Sequence, residues 1–532
     1  MRAMEASGRH PALTDRSANL TADPSFDPAE VQSPPDDCHD VAWALARVTD
    51  MIFAVTGKPV THLIDFVSTL NVAMELSSNE KSAVEAAIGA SAVGVPTCVI
   101  VKHCGLAYAL DSLANAALHG TGAGLLIVSG DDCNADSSTC IYDSRQLAEI
   151  ARLPVIDLAL AGDTDAVVDA ALRMSASARI PVVLRVTASL HAACSPDRRT
   201  PEARSSAAGQ HSPNPDLIDR EVAHGLTKLG RHQHHRLVTT SLLREKLAQP
   251  PMVSATCAAE CDRAVIASGA ASRYLPDGDY CRLQVQGVSP VPDAVIEFAR
   301  RHRQVLVVEE PAPYLETALR ASHAALRSTI MGRMDSWLPP EGSLSPGQVA
   351  AAMADEGPQE WSAVARKTPG AKPESPYSPV FEAVARLQRT GVFVTADVGS
   401  SIQLCYPPYN AASVAISLGS AVGVAGGAAR AGQRSLAVIG DYALTHSAVE
   451  SLLDVVAQDL PVLVLVLANG NQTQTGGQEL PAADRTALVQ ACGVRLVEHW
   501  PATCSDEAFT RLHQLLGGPL PAVAFVTADE PH

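Results

Sequence analysis

The stretch Leu436–Gln478, LAVIGDYALTHSAVESLLDVVAQDLPVLVLVLANGNQTQTGGQ, decides the fold. Its opening apolar run, Leu436–Ile439, has the composition of a buried strand, which Gly440-Asp441-Tyr442 ends. Val449, Leu452, Leu453, Val456 and Leu460 then recur at helical spacing. A second apolar run, Val462–Leu467, stops at Ala468-Asn469-Gly470-Asn471. This is a strand–helix–strand unit with polar residues at the carboxyl ends of both strands, where open parallel sheets place their ligands. Asp441 supplies a hard anionic oxygen, Asn469 a neutral amide oxygen, and the loop beyond it backbone carbonyls. Such a donor set suits Mg²⁺, which keeps oxygen ligands and shares them with a phosphate. Gly440 permits close backbone approach, and the helix beginning near Leu444 offers N–H groups to an anion. The expected ligand is a diphosphate bridged by Mg²⁺.

The surrounding chain fits that unit. With 532 residues and 47% apolar content it can build about three cores, and its Ala, Val and Leu suit packed α/β layers better than its 4% aromatics would suit other classes. A net charge of −17 opposes nucleic acid as a partner, because phosphate backbones need a basic surface. No apolar run approaches the ~18 residues of a membrane span. The start, MRAMEASGRHPALTDRS, lacks a signal core, so a cytoplasmic protein is expected. The twelve cysteines are scattered with no Cys-x-x-Cys, which predicts mostly buried thiols and no cluster ligands in this chain.

Read in order, residues 1–36 form a Ser/Pro-rich tail. Residues 37–195 alternate strand and helix: Met51–Val55, a helix near His62–Leu70, a small-residue helix Lys81–Val93, and strands Thr97–Lys102, Gly124–Ser129 and Val182–Val186. That pattern predicts a doubly wound parallel sheet. Residues 196–255 are a connector, in which Arg231-His232-Gln233-His234-His235 reads as a solvated basic turn rather than a metal site. Residues 256–334 form a smaller α/β unit with strands Arg263–Ser268, Cys281–Val285 and Gln304–Glu309, and no chemistry is assigned to it. A linker, 335–375, leads to the last domain, 376–529, with strands Val392–Ala396 and Val523–Val526 around the opening unit.

The Gly-Asp followed by a helix, a strand and an Asn resembles the thiamine-diphosphate motif. Asp441-Tyr442-Ala443-Leu444-Thr445-His446-Ser447 and the run from Asn469 to Thr-Gly-Gly-Gln478 are similar to the alpha subunit of indolepyruvate ferredoxin oxidoreductase. So, in the same order, are Ser78-Asn79-Glu80-Lys81, Val101-Lys102-His103-Cys104-Gly105 and Ser129-Gly130-Asp131-Asp132. The resemblance covers most of residues 38–529 and is weakest in the middle. It implies an α/β fold with doubly wound parallel-sheet pyrimidine and diphosphate domains (37–195 and 376–529) and the smaller α/β domain between them.

It also implies residue roles. Glu80 would be the acid paired with the cofactor's aminopyrimidine, favouring the imino tautomer that generates the ylide. His103 would face the reacting carbonyl, with His446 a second catalytic candidate. Thr61, Asp397, Gly399, Ser400, Gly419, Gly440, Asp441, Tyr442, Ala443, Asn469, Asn471 and Thr473 would hold thiamine diphosphate, and Asp441, Asn469 and Asn471 would hold Mg²⁺.

Two departures shape the expected reaction. Where that family has Cys-x-x-Cys-Pro-His, this chain has Lys372-Pro373-Glu374-Ser375-Pro376, and the family's cysteine-rich ferredoxin-like tail has no counterpart before His532. The expectation is therefore non-oxidative decarboxylation of a 2-oxo acid, or decarboxylation with carboligation to an acyloin, through an enamine. The alternatives are the catalytic subunit of an aryl-pyruvate ferredoxin oxidoreductase that takes its clusters from a separate subunit or ferredoxin, and a degraded scaffold with Tyr442 and Gly470 as departures. Since such domains usually meet across subunits, a homodimer or larger is expected.

Overall fold

The computed structural model describes residues 36–159, 164–187, 225–257, 261–278, 280–322, 329–354, 357–362, 375–472, 477–480 and 483–528. Residues 1–35 of the expected N-terminal tail and Thr473 lie outside them, and Asp36 instead begins a helix. Three sheets order these residues. The first has seven strands, in the order Gly287–Ser289, Val155–Asp157, Val182–Thr187, Leu125–Asp131, Thr97–Lys102, Met51–Ala54 and Ala73–Leu76. All pair in parallel except Gly287–Ser289, which runs antiparallel beside Val155–Asp157. The central strands of this sheet are continuous Val/Ile/Leu runs buried on both faces, as a sheet covered on both sides requires. Helix Asp36–Val48 packs with Thr61–Ser68 and Thr164–Ala178, while Glu80–Ala92 packs with Leu110–His119.

The last domain is a wholly parallel five-stranded sheet, ordered Phe393–Ala396, Ser435–Gly440, Val462–Ala468, Ala522–Thr527 and Leu496–Pro501. The two apolar runs of the opening stretch are adjacent in it, Gly440 opposite Leu467. The expected helix between them is real but not regular. Asp441–Ala443 is α-helical, Leu444–Ala448 makes a π-turn, and Val449–Ala457 resumes the α-helix. The wider turn adds a residue and rotates the helical segment beyond it, so Leu452 and Val455 are buried while Leu453 is exposed.

The middle sheet differs from expectation at its boundaries. Its order is Thr329–Met331, Gln304–Val308, Arg263–Ser268, Cys281–Val285 and Val253–Thr256, the last antiparallel. Val253–Thr256 comes from the expected connector, and Gly287–Ser289 leaves the middle segment to extend the first sheet. The predicted basic turn at Arg231–His235 is also helical: Lys228–His234 is followed by a π-turn His235–Thr239, and His235 is buried.

Buried ion pairs run within the first domain and, through Arg145, from it to the middle one. Arg145 donates from Nη1 to Glu309 Oε2 and from Nη2 to Asp143 Oδ2, both at 2.7 Å. Arg185 bridges Asp131 (2.6 Å) and Asp157 (2.7 Å). Cys257 and Cys281 are joined in a disulfide, contrary to the expectation of thiols for this pair. No helix among the described residues is long and apolar enough to cross a membrane.

Candidate active site

The carboxyl ends of the last sheet build one wall. Asp441 opens the helix after Gly440 and is buried. Its Oδ2 accepts the Gly470 N–H at 2.8 Å, closing one strand-end loop onto the other. Gly470 has φ +73°, a left-handed turn that glycine adopts without strain. Burial pushes the Asp441 carboxyl above its ordinary range, and the Gly470 N–H works the other way. A bound cation would relieve that burial cost. Asn469 and Asn471 lie directly beyond, with the Asn471 N–H 3.5 Å from Asn469 Oδ1. No backbone or side chain occupies the space where a Cβ on Gly440 would stand.

Asp397 shapes the neighbouring turn. Its two oxygens receive the Gly419 N–H at 3.0 and 2.9 Å, and Oδ1 also receives that of Val398. Gly419 sits at φ +80°, and a Cβ there would lie 3.0 Å from the Ala448 nitrogen. Burial raises Asp397 to about 6 in spite of those hydrogen bonds. The folded state therefore holds this proton more tightly than the unfolded chain does. Stability from this group is full below pH 3.8, falls as pH rises towards 6, and is gone above it. At 1.36 kcal/mol per unit this amounts to roughly 3 kcal/mol. Asp397→Asn should flatten the dependence of the urea midpoint on pH across that window. An unchanged slope would show that other groups produce it.

The first domain supplies the opposite wall within the same chain. Glu80 begins helix Glu80–Ala92, whose N-cap Asn79 accepts the Ser82 N–H. Glu80 Oε2 lies 2.8 Å from His446 Nε2, and Asn79 Nδ2 donates to the His446 carbonyl at 3.3 Å. His446 Nδ1 is 3.0 Å from Ser447 Oγ, which donates its own proton to the Leu418 carbonyl. The Nε2–Oε2 contact is thus a hydrogen bond between ring and carboxyl, with Ser447 Oγ at the other ring nitrogen. The rings of Tyr108 and Tyr442 flank His446 at 5.4 and 5.5 Å. Thr56 bonds Gln472, Gln478 Nε2 donates to Asp65 at 3.0 Å, and Thr139 donates to the Ile416 carbonyl. These contacts join the two domains within one chain.

The expected residues divide accordingly. Glu80, His446, Asp441 and Asp397 with Gly419 come to the junction. His103 does not join the pair: its Nδ1 lies 3.1 Å from the Gly130 carbonyl and its Nε2 3.3 Å from that of Cys140, and burial lowers its basicity. Gly399 and Ser400 begin a 3₁₀ turn beyond Asp397, and Ala443 is buried behind Asp441. Several participants were not expected: Asn79, whose Ser-Asn-Glu context is a helix-start signal, Gln472 and Gln478, and Gly105. A Cβ on Gly105 would lie 2.6 Å from Glu80 Oε1, so this glycine makes room for the carboxylate.

The fit to a cofactor rests on polar atoms as well as on Asp441. Thr61 Oγ1, Ser77 Oγ, Tyr442 Oη and Gln478 Oε1 are buried without a protein hydrogen-bond partner. All four belong to the segments that meet here, and buried polar atoms of this kind call for a ligand or water.

The fold and this site define an α/β protein of the thiamine-diphosphate type, and residues 397–499 match the C-terminal TPP-binding domain of thiamine pyrophosphate enzymes. Over 83% of its length the chain is 28% identical to indolepyruvate oxidoreductase subunit IorA of Methanothermobacter marburgensis, covering 77% of that protein. It is 25% identical to the subunit of the same name from Archaeoglobus fulgidus, over 86% of this chain and 79% of that one. A solved 2-oxoglutarate:ferredoxin oxidoreductase from Magnetococcus marinus superposes on 60% of this chain and 64% of its own at 15% identity and a TM-score of 0.45. The chain thus resembles these IorA subunits and carries a stretch that matches a thiamine pyrophosphate enzyme domain.

Proposed function

We propose that this chain is the catalytic subunit of a 2-oxo acid oxidoreductase that uses thiamine diphosphate and Mg²⁺ and delivers electrons to a separate iron–sulfur protein. The observation that carries the reading is similarity over some four-fifths of the chain to proteins named as oxidoreductase subunits. It favours the oxidative fate over the decarboxylation or carboligation expected from the sequence. The balanced reaction converts a 2-oxo acid anion and a thiol such as coenzyme A into an acyl thioester, CO₂, one proton and two electrons. Without a Cys-x-x-Cys in its sequence, the chain would take the acceptor for those electrons from its partner.

On this reading Asp441, Asn469 and Asn471 hold Mg²⁺ and the diphosphate, with Gly440, Gly419 and the N–H groups after Gly440 beside it. Thr61, Tyr442 and Gln478 supply the remaining polar contacts. The cofactor, when bound, provides the electron sink for loss of CO₂. Glu80 and His446 form a hydrogen-bonded pair at the wall facing it, and Tyr108 and Tyr442 flank the imidazole.

The test uses purified protein with thiamine diphosphate, Mg²⁺, coenzyme A and a panel of 2-oxo acids, with and without a viologen dye or ferredoxin. CO₂ release that depends on the electron acceptor supports the proposal. Acceptor-independent release of aldehyde or acyloin would instead establish the non-oxidative reaction. Asp441→Ala should lose both cofactor binding and turnover, read by calorimetry with thiamine diphosphate and Mg²⁺. Wild-type affinity in that variant would refute the metal assignment.

A further inference from the structure

The middle sheet carries a cluster that the oxidoreductase reading does not use. Cys257 comes directly after the edge strand Val253–Thr256, and Cys281 begins the strand paired antiparallel to it, with Thr256 opposite Arg282. His302 lies between helix Asp293–Arg300 and strand Gln304–Val308. The register brings these three segments together, since Ala264 pairs with Cys281 and Gln304 with Arg263. The cluster therefore sits where the parallel strands of this sheet begin, at the opposite end from their carboxyl termini.

One sulfur from each cysteine and one nitrogen from His302 lie within 4.8 Å of one another. Cys257 Sγ is 4.0 Å from His302 Nε2, while the other ring nitrogen, Nδ1, donates to the Phe298 carbonyl at 2.9 Å. That bond fixes the tautomer in which Nε2 presents its lone pair to the sulfurs, the usual arrangement for a metal-bound imidazole. Bond lengths of about 2.3 Å to sulfur and 2.05 Å to nitrogen place the two ligand atoms of a tetrahedral zinc site ~3.6 Å apart. The observed separation is within half an ångström of that value. Cys281 and His302 are buried and Cys257 is exposed, so a site here has fixed ligands and a route to solvent.

We propose that Cys257, Cys281 and His302 form a binding site for a zinc-class divalent ion in the reduced protein, and that the disulfide is its metal-free oxidised form. Interconversion balances. A dithiol reductant gives two electrons and two protons to the Cys257–Cys281 bond and becomes a disulfide itself. The resulting thiols release two protons as their sulfurs bind the ion. Water would supply the fourth position. Placement away from the carboxyl strand ends makes the ion a staple, holding the edge strand and the turn at His302 to the sheet.

The test uses the full chain, reduced with a water-soluble phosphine, which gains oxygen from water as the disulfide becomes two thiols. Cobalt(II) is then titrated with thiamine diphosphate and Mg²⁺ in excess, so that the oxygen-lined site is occupied. The expected result is one cobalt per chain with an intense near-ultraviolet sulfur-to-cobalt band, displaced by zinc(II). Cys257→Ser, a change at an exposed position, should abolish that band. His302→Gln should weaken cobalt binding by at least the ~10–100-fold that losing a supporting contact alone costs. No sulfur band in the reduced wild-type protein would overturn the proposal, as would an undiminished band in Cys257→Ser. Because the readout is spectroscopic, its failure is separable from failure of the proposed catalytic function.

Discussion

Glu80→Ala should lower kcat by about 10²–10⁴-fold, the span associated with losing a positioned acid–base group, while thiamine diphosphate affinity stays within a few-fold of wild type. The reason is geometric. The diphosphate and metal wall is built by Asp441, Asp397 and the loops they close, and Glu80 donates nothing to it. Glu80 instead bonds His446 at 2.8 Å, and its side chain is 13% exposed, too little for bulk water to replace it in that role. On the proposed reading this carboxyl is the one that pairs with the cofactor's pyrimidine. Glu80→Gln separates charge from shape, because it keeps a hydrogen bond to His446 but has no carboxyl to take up or release a proton. Steady-state kinetics beside calorimetric cofactor binding give the answer. Full activity in Glu80→Ala would sink the assignment, and equal losses of affinity and kcat would move Glu80 into the binding wall.

The parts of this site were unequally legible. Gly440-Asp441 and Ala468-Asn469 stood out because each terminates an unbroken apolar run, and such runs translate directly into adjacent strands. Glu80 was legible only through the company of its local motif, as a lone acid at a helix start carries no chemical signal. The Glu80–His446 contact was not legible at all. It joins residues 366 apart, and it depends on a π-turn at Leu444–Ala448 that no periodicity announces. His103 shows the converse. Its motif pointed to the reacting centre, yet its Nδ1 accepts the Asp132 N–H and its Nε2 donates to the Cys140 carbonyl, both in its own domain. Strand Gly287–Ser289 was missed for a simpler reason. Three residues have no period, and its partner Val155–Asp157 lies in a different domain of the chain.

Arg145→Met should destabilise the protein by about 3–5 kcal/mol, the cost of leaving buried charges without their partner. Arg145 is fully buried, and its guanidinium gives three bonds to Asp143, one to Glu309 and one to the Ala312 carbonyl. Burial works against its cation, yet Asp143 and Glu309 together hold it firmly protonated. Burial likewise opposes ionisation of Asp143, and Arg145 still keeps it below the ordinary carboxylate range. Glu309 differs. Burial raises it, although Arg145 and the N–H groups of Leu315 and Glu316 pull the other way. Removing the arginine strips the largest opposing influence, so Glu309 should take up a proton in the folded variant. A carboxyl whose folded pKa is raised contributes stability below its unfolded value and loses it as pH rises. The destabilisation should therefore grow from pH 5 to pH 8, measured as the difference in urea unfolding free energy between variant and wild type. Such a loss is a large share of the ~5–15 kcal/mol that holds a typical domain together. It would appear at the seam between the first and middle domains, where helix Ser144–Ile150 meets the strand ending at Val308. A loss under about 1 kcal/mol, or one independent of pH, would mean that apolar packing rather than this ion pair joins the two domains.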